Sequence, residues 1–141
     1  MRRNLELKDL GDLLERPVLA VLATHRKDRS ILLSPVWFEW ADDGFSVVTW
    51  AKDIKSRNIA RDPQISILVN DEAPPYRGIE ARGPATITDA TDLKPLLRRL
   101  GRRYMGEEAG NAYADSYDEV AIELIRLVPE VIRAWDFSDD M

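Results

Sequence analysis

The segment Trp50-Ala51-Lys52-Asp53-Ile54-Lys55-Ser56-Arg57-Asn58-Ile59-Ala60-Arg61-Asp62-Pro63 joins an apolar strand to a short helix. The strand before it, Phe45-Ser46-Val47-Val48-Thr49-Trp50, is rich in β-branched and aromatic residues, which fit a pleated, half-buried surface. Asp53 stands where an N-cap belongs, and Ile54, Lys55, Ser56 and Arg57 fill the first turn. There, unsatisfied N–H groups and the positive end of the helix dipole favour an anion. Lys55 and Arg57 are cations at that same end, where they oppose the dipole. A phosphate between them resolves the conflict; two solvated residues at a loop edge are the other reading of the same spacing.

Outward from this junction the chain reads as short strands with few helices. Leu5 to Glu15 has an apolar stripe of Leu10, Leu13 and Leu14 and predicts a helix ended by Pro17. Val18 to Thr24 is apolar on both faces and predicts a strand in the middle of a sheet. Ile31 to Trp40 and Phe45 to Trp50 form a hairpin around Asp43-Gly44. Val36, Phe38 and Trp40 share one face of the first of these strands and Trp37 and Glu39 the other. Phe38 suits the core, and Val36 with Trp37 makes a wall for a planar ring. After Pro63 come strands at Gln64–Asn70 and Tyr76–Thr88, the second bent at Gly83-Pro84. A helix spans Asp92 to about Tyr104, then a mixed helical or loop piece covers Gly106 to Ser116. Two strands, Val120–Val128 and Val131–Phe137, close the domain.

Composition bounds the function. A chain of 141 residues makes one domain, residues 1–141. At 45% hydrophobic and 32% charged it is an ordinary globular mixture with no run long enough to cross a bilayer. Met1-Arg2-Arg3 has no apolar segment behind it, so no signal peptide is expected and a cytoplasmic location is. Zero cysteines exclude disulfides and thiolate chemistry, and a single histidine, His25, leaves zinc and Ser-His-Asp schemes short of groups. The net charge of −5 argues against nucleic acid as partner. The basic residues Lys94, Arg98, Arg99, Arg102 and Arg103 read as a solvated helix face with snorkelling stems.

The chain resembles the pyridoxamine phosphate oxidase-like split-barrel flavin and deazaflavin binders over nearly its whole length. The resemblance rests on Leu22-Ala23-Thr24, Ser34-Pro35-Val36-Trp37-Phe38, Thr49 with the stretch Lys55 to Pro63, Glu80-Ala81-Arg82-Gly83-Pro84-Ala85, and Val131-Ile132-Arg133-Ala134-Trp135. It implies a mainly β split barrel of about six to seven antiparallel strands with short capping helices, assembled as a homodimer with cofactor sites at the subunit interface. It implies further that Lys55, Ser56 and Arg57 hold the cofactor phosphate, that Val36, Trp37, Thr49 and Trp50 flank the ring, and that Tyr76 reaches across from the other subunit. True pyridoxamine phosphate oxidases carry Ser-Arg-Lys where this chain has Asp53-Ile54-Lys55, and Arg-Leu-His where it has Arg133-Ala134-Trp135. Vitamin B6 is therefore not the expected substrate, and Trp135 becomes a platform for a flat acceptor or a barrel-closing core residue. The resemblance points to FMN or the deazaflavin coenzyme F420 and to hydride transfer with a conjugated small-molecule acceptor. No catalytic residue is expected, because the cofactor carries the hydride, and no metal is. A flavin-binding carrier or redox sensor without turnover is the alternative. An interaction surface with a vestigial pocket is a third class.

Overall fold

Strand β7 decides how the barrel splits. In a computed structural model, which describes residues 1–89 and 91–141, β7 (Gly78–Thr88) pairs along one edge with β6 (Gln64–Asn70). Along its other edge it changes partner, taking β9 (Val131–Asp136) at Gly78–Arg82 and β8 (Ile122–Leu127) at Ala85–Thr88. The change falls at Gly83-Pro84, where proline has no N–H to give a ladder. The neighbouring groups are satisfied from outside the ladder: Glu130 N donates to Arg82 O at 2.9 Å and Ala85 N to Pro63 O at 2.8 Å. The predicted bend is therefore the hinge between the two halves of the sheet.

The remaining strands are β1 (Arg2–Leu5), β2 (Ala20–His25), β3 (Ile31–Val36), β4 (Glu39–Ala41) and β5 (Gly44–Trp50). The order is β3-β2-β6-β7-β8-β5-β4, with β9 on β7 and β1 on β9, and every pairing is antiparallel. The architecture is the expected mainly β split barrel, with nine strands rather than six to seven. Phe38, Phe45, Leu22, Ile67, Ile79 and Leu127 fill its interior. Three helices cap it: α1 (Ile54–Arg61), α2 (Lys94–Met105) and α3 (Glu107–Asp115).

The two extra strands are corrections to the sequence expectation. Leu5–Glu15 is not one helix: β1 is followed by two short 3-10 turns, Leu7–Leu10 and Leu13–Glu15, separated at Gly11, whose φ is +59°. Arg77 fixes that interruption by donating to Leu10 O and to the Asp12 carboxylate, both at 2.7 Å. The leucine stripe still does its work, since Leu10 and Leu13 are buried. The Ile31–Trp40 strand is broken at Trp37-Phe38, so that β3 pairs with β2 in one half of the sheet and β4 with β5 in the other. Phe38 N, freed from a ladder, donates to the Tyr104 hydroxyl at 3.2 Å. The hairpin turn is Asp42-Asp43, both at positive φ (+53° and +58°), and Gly44 already belongs to β5. The stretch left open at Gly106 to Ser116 folds as α3. Gly101 of α2 and Gly110 of α3 let the two helices touch: a Cβ on Gly101 would lie 2.7 Å from Gly110 O.

The basic face of α2 is solvated in part: Arg99 and Arg102 are exposed, with Arg99 bonding Glu39 at 2.7 Å, while Lys94 bonds Asp118 and Ala114 O and Arg98 bonds Asp115. Arg103 lies over the Phe38 ring and donates to the carbonyls of Leu14 and Glu15 at 3.0 Å. Lys94 and Arg98 thus join α2 to α3 and the turn after it, Arg99 joins α2 to β4, and Arg103 joins it to the 3-10 turn Leu13–Glu15.

Candidate functional site

A cleft of about 390 Å³ opens where β3 ends, β5 ends and α1 begins, with α2 and α3 closing its far side. Adjacent strand ends bring Val36, Trp37, Thr49 and Trp50 together there, and the first turn of α1 adds Asp53 and Lys55. Five of the residues implicated from the sequence therefore share one cavity: Val36, Trp37, Thr49, Trp50 and Lys55. Its size lies within the range of small-molecule sites, roughly 300–1,000 Å³.

The aromatic wall is held by stacking. Trp37 lies flat on Tyr104, with centroids 4.9 Å apart and planes 5° from parallel, and tilts against Tyr113 at 5.1 Å. Tyr104 is anchored in turn by its hydroxyl, which donates to Val18 O at 2.8 Å. Trp50, 62% exposed, donates its indole N–H to the Tyr117 hydroxyl at 3.4 Å. Tyr113 and Tyr117 join by their hydroxyls at 3.2 Å, and burial of Tyr113 pushes its phenol up to about 12. Both tyrosines line the cleft, and the sequence reading missed them. Their spacing of four, one turn of a helix, was the signal available, although Tyr117 lies in the turn just past the end of α3.

The polar end of the cleft is the Asp53–Lys55 pair. Asp53 occupies the N-cap position of α1 with extended backbone (φ −60°, ψ 161°), but its side chain caps no helix N–H. Its carboxylate instead accepts from Lys55 Nζ and, at 3.2 Å, from Thr49 Oγ1. The Lys55 ammonium holds the Asp53 carboxyl below the usual carboxylate range.

Ser56 and Arg57 are turned elsewhere. They line a second cleft of about 380 Å³ with Lys52, Ile59, Ala60, Ala85, Ile87 and Glu123. Ser56 is 3% exposed, and its hydroxyl has no hydrogen-bond partner among the described residues. Tyr76 is exposed in the loop before β7, with a φ of +55°. Trp135 lies on β9 over Gly78, where a Cβ would collide with the indole, and Arg133 covers its ring at 4.5 Å. Neither residue reaches the aromatic cleft of its own chain.

Residues 7–136 match the family model described as pyridoxamine 5'-phosphate oxidase. Among solved structures, the conserved hypothetical protein Rv2991 of Mycobacterium tuberculosis is 25% identical with a TM-score of 0.77, over 95% of this chain and 86% of that one. A structure titled F420 Reductase is 27% identical with a TM-score of 0.69, over 86% and 93% of the two chains. A FAD-binding protein of Mesorhizobium loti shares the fold at 16% identity, with a TM-score of 0.64 over 95% and 97%. No curated protein matches the chain. With the split sheet, the strand-to-helix junction and a family match over almost the full length, the chain belongs to the pyridoxamine 5'-phosphate oxidase-like split-barrel family.

Proposed function

We propose that the protein is an oxidoreductase that binds FMN or the deazaflavin coenzyme F420 and passes a hydride between that cofactor and a conjugated small-molecule acceptor. One observation carries this: an aromatic-walled cleft of cofactor size ends at a lysine on the first turn of a helix. Family membership and 27% identity to a structure titled F420 Reductase support it.

The donor set fits a flavin-like group. Val36, Trp37 and Trp50 offer flat apolar surface, Thr49 a hydroxyl, and Lys55 a charge for an anionic end, helped by the α1 N-terminus. A bound flavin or deazaflavin would supply the hydride itself. What the chain supplies is orientation, an aromatic wall of Trp37 and Trp50, and the Tyr113 and Tyr117 hydroxyls lining the cleft. Ser56 and Arg57, with Lys52, we assign to anionic groups beyond the first phosphate, since they open on the neighbouring cleft. Such an extension favours a cofactor with a longer anionic tail.

We also assign the homodimer to the outer face of the sheet formed by β3, β2, β6, β7 and β9. There Ile31, Leu33 and Leu68 stand exposed on one side of the cross-strand ladder, and Pro35 continues the row into the cleft. Trp135 and Arg133 lie on that same outer side, so a second copy could bring Trp135 or Tyr76 to the cleft. No helix among the described residues is long and apolar enough to cross a membrane. With no cysteine in the chain, we assign the work to the cytoplasm.

Absorbance of the purified protein, with mass identification of the released chromophore, tests the binding. Oxidation of the reduced cofactor by a panel of quinones and tetrapyrroles then separates the enzyme from a carrier or sensor that binds without turnover. A colourless protein that takes up neither FMN nor F420 would overturn the proposal.

A further inference from the structure

Asp53 is an odd neighbour for a phosphate. It lines the aromatic cleft together with Lys55, Thr49 and Trp50, and its carboxylate already occupies the ammonium that an incoming anion would use. As a helix cap it does nothing with its side chain. Nor is it free to swing aside, because the Thr49 hydroxyl holds it from β5, and Thr49 is itself 7% exposed in that strand. An anion arriving at Lys55 therefore meets a fixed negative charge next to the positive one.

The charges at this end of the cleft sum almost to zero. Lys55 and Asp53 cancel, leaving the partial positive charge of the α1 N-terminus, about half a unit. One further negative charge suits that remainder, and a second finds no cation to meet it.

We propose that Asp53 is a specificity-determining residue that limits the charge the cleft accepts at Lys55, selecting a cofactor whose phosphate is a singly charged diester over one whose phosphate is a doubly charged monoester. This rests on the assignment of a flavin-like cofactor to the aromatic cleft and sharpens it: the phosphodiester of F420 suits the site better than the phosphomonoester of FMN.

The test is a set of affinities measured by fluorescence quenching at pH 8, where a phosphomonoester carries nearly two charges, its second ionisation lying near 6. FMN is referenced to riboflavin, and F420 to its phosphate-free chromophore, so that differences between the rings cancel. Coulomb energy scales with the product of the charges. Removing the Asp53 charge in Asp53→Asn should therefore raise the logarithm of affinity about twice as much for a dianion as for a monoanion. We expect a gain of about tenfold for FMN and about threefold for F420, with riboflavin unchanged. Asp53→Glu, which keeps the charge, should keep the wild-type preference. Equal gains for the two cofactors in Asp53→Asn, or no gain in either, would overturn the role given to Asp53. Lys55→Met separates that failure from a deeper one. If it leaves both cofactors bound as tightly as in wild type, the phosphate does not sit at Lys55, and the placement of the cofactor falls along with the selectivity.

Discussion

Lys55 and Arg57 should contribute unequally and independently to cofactor binding. A charge-assisted bond to a phosphate contributes roughly 1.5–3 kcal/mol. Against this stands the Asp53–Lys55 pair that the anion must loosen. With side chains 20% and 32% exposed, that pair is partly screened and is worth about 0.2–1 kcal/mol. The net is about 0.5–2.8 kcal/mol, so Lys55→Ala should weaken FMN or F420 binding roughly two- to hundredfold. Arg57 lines the neighbouring cleft, so Arg57→Ala should weaken FMN by less than about threefold, an effect near 0.6 kcal/mol. The double variant should cost the sum to within about 0.5 kcal/mol, as for sites that share no partner. Titration of apo protein with each cofactor at two salt concentrations measures all four terms of the cycle. Equal losses in the two single variants, with a double variant no worse than either, would place both cations on one phosphate and refute this reasoning.

Ser56→Ala removes a buried hydroxyl that has no hydrogen-bond partner among the described residues, so it should raise the melting temperature of apo protein by about 2–4 °C, corresponding to roughly 1 kcal/mol, while weakening cofactor binding; a fall in melting temperature would mean that the hydroxyl is already satisfied. Leu33→Asp, on an outward side chain that is 64% exposed, should turn the dimer into a monomer by sedimentation with little loss of helix or sheet signal; a wild type already monomeric at micromolar concentration refutes the assigned face. Alkaline difference spectra should show a tyrosine ionising near 12 that disappears in Tyr113→Phe, and because burial raises this phenol above the unfolded value of about 10, its contribution to stability should be complete below pH 10 and lost between 10 and 12. A Tyr113 that titrates with the unfolded chain would contradict the closed aromatic wall.

Much of the β architecture was legible because short apolar or β-branched runs bounded by turn residues mark β2, β5, β6, β8 and β9. The two strands that escaped notice did so for physical reasons. β1 has four residues and gains its only partner at the far end of the chain, Arg2 opposite Asp136, so nothing local marks it. The break between β3 and β4 carries neither glycine nor an internal turn signal; Trp37-Phe38 leaves the ladder because Tyr104, far along the chain, receives the Phe38 N–H and stacks on Trp37. The homodimer was expected from the resemblance, and the aromatics of the Ile31–Trp50 hairpin do not mark its face: Phe38, Trp40 and Phe45 pack together within the protomer. Of the hairpin's aromatics Trp50 stays exposed, at the cleft, while the proposed dimer face carries the aliphatic residues Ile31, Leu33 and Leu68 of β3 and β6.

The same contrast divides the site. Val36, Trp37, Thr49, Trp50 and Lys55 could be grouped from sequence by the family resemblance, and the fold brings the ends of β3 and β5, which do not pair with each other, to the start of α1. Tyr113 and Tyr117 were left ungrouped despite their spacing, since α3 is rich in alanine and glutamate and contains Gly110, and Tyr117 lies in the turn beyond its end. The division of labour between Lys55 and Arg57, however, was open to inspection from the start. A helix turns about 100° per residue, and positions two apart do not face each other. Lys55 and Arg57 therefore leave α1 about 200° apart, and the structure duly opens one onto each cleft. A single phosphate could touch both only by sitting on the helix axis beyond Asp53. Placed there, it would take the free N–H groups of the first turn before either side chain, and the salt dependence of binding would fall accordingly. Two anionic groups, one per cleft, need no such compromise, and under the proposed placement the charge balance around Asp53 would then sort one cofactor from another.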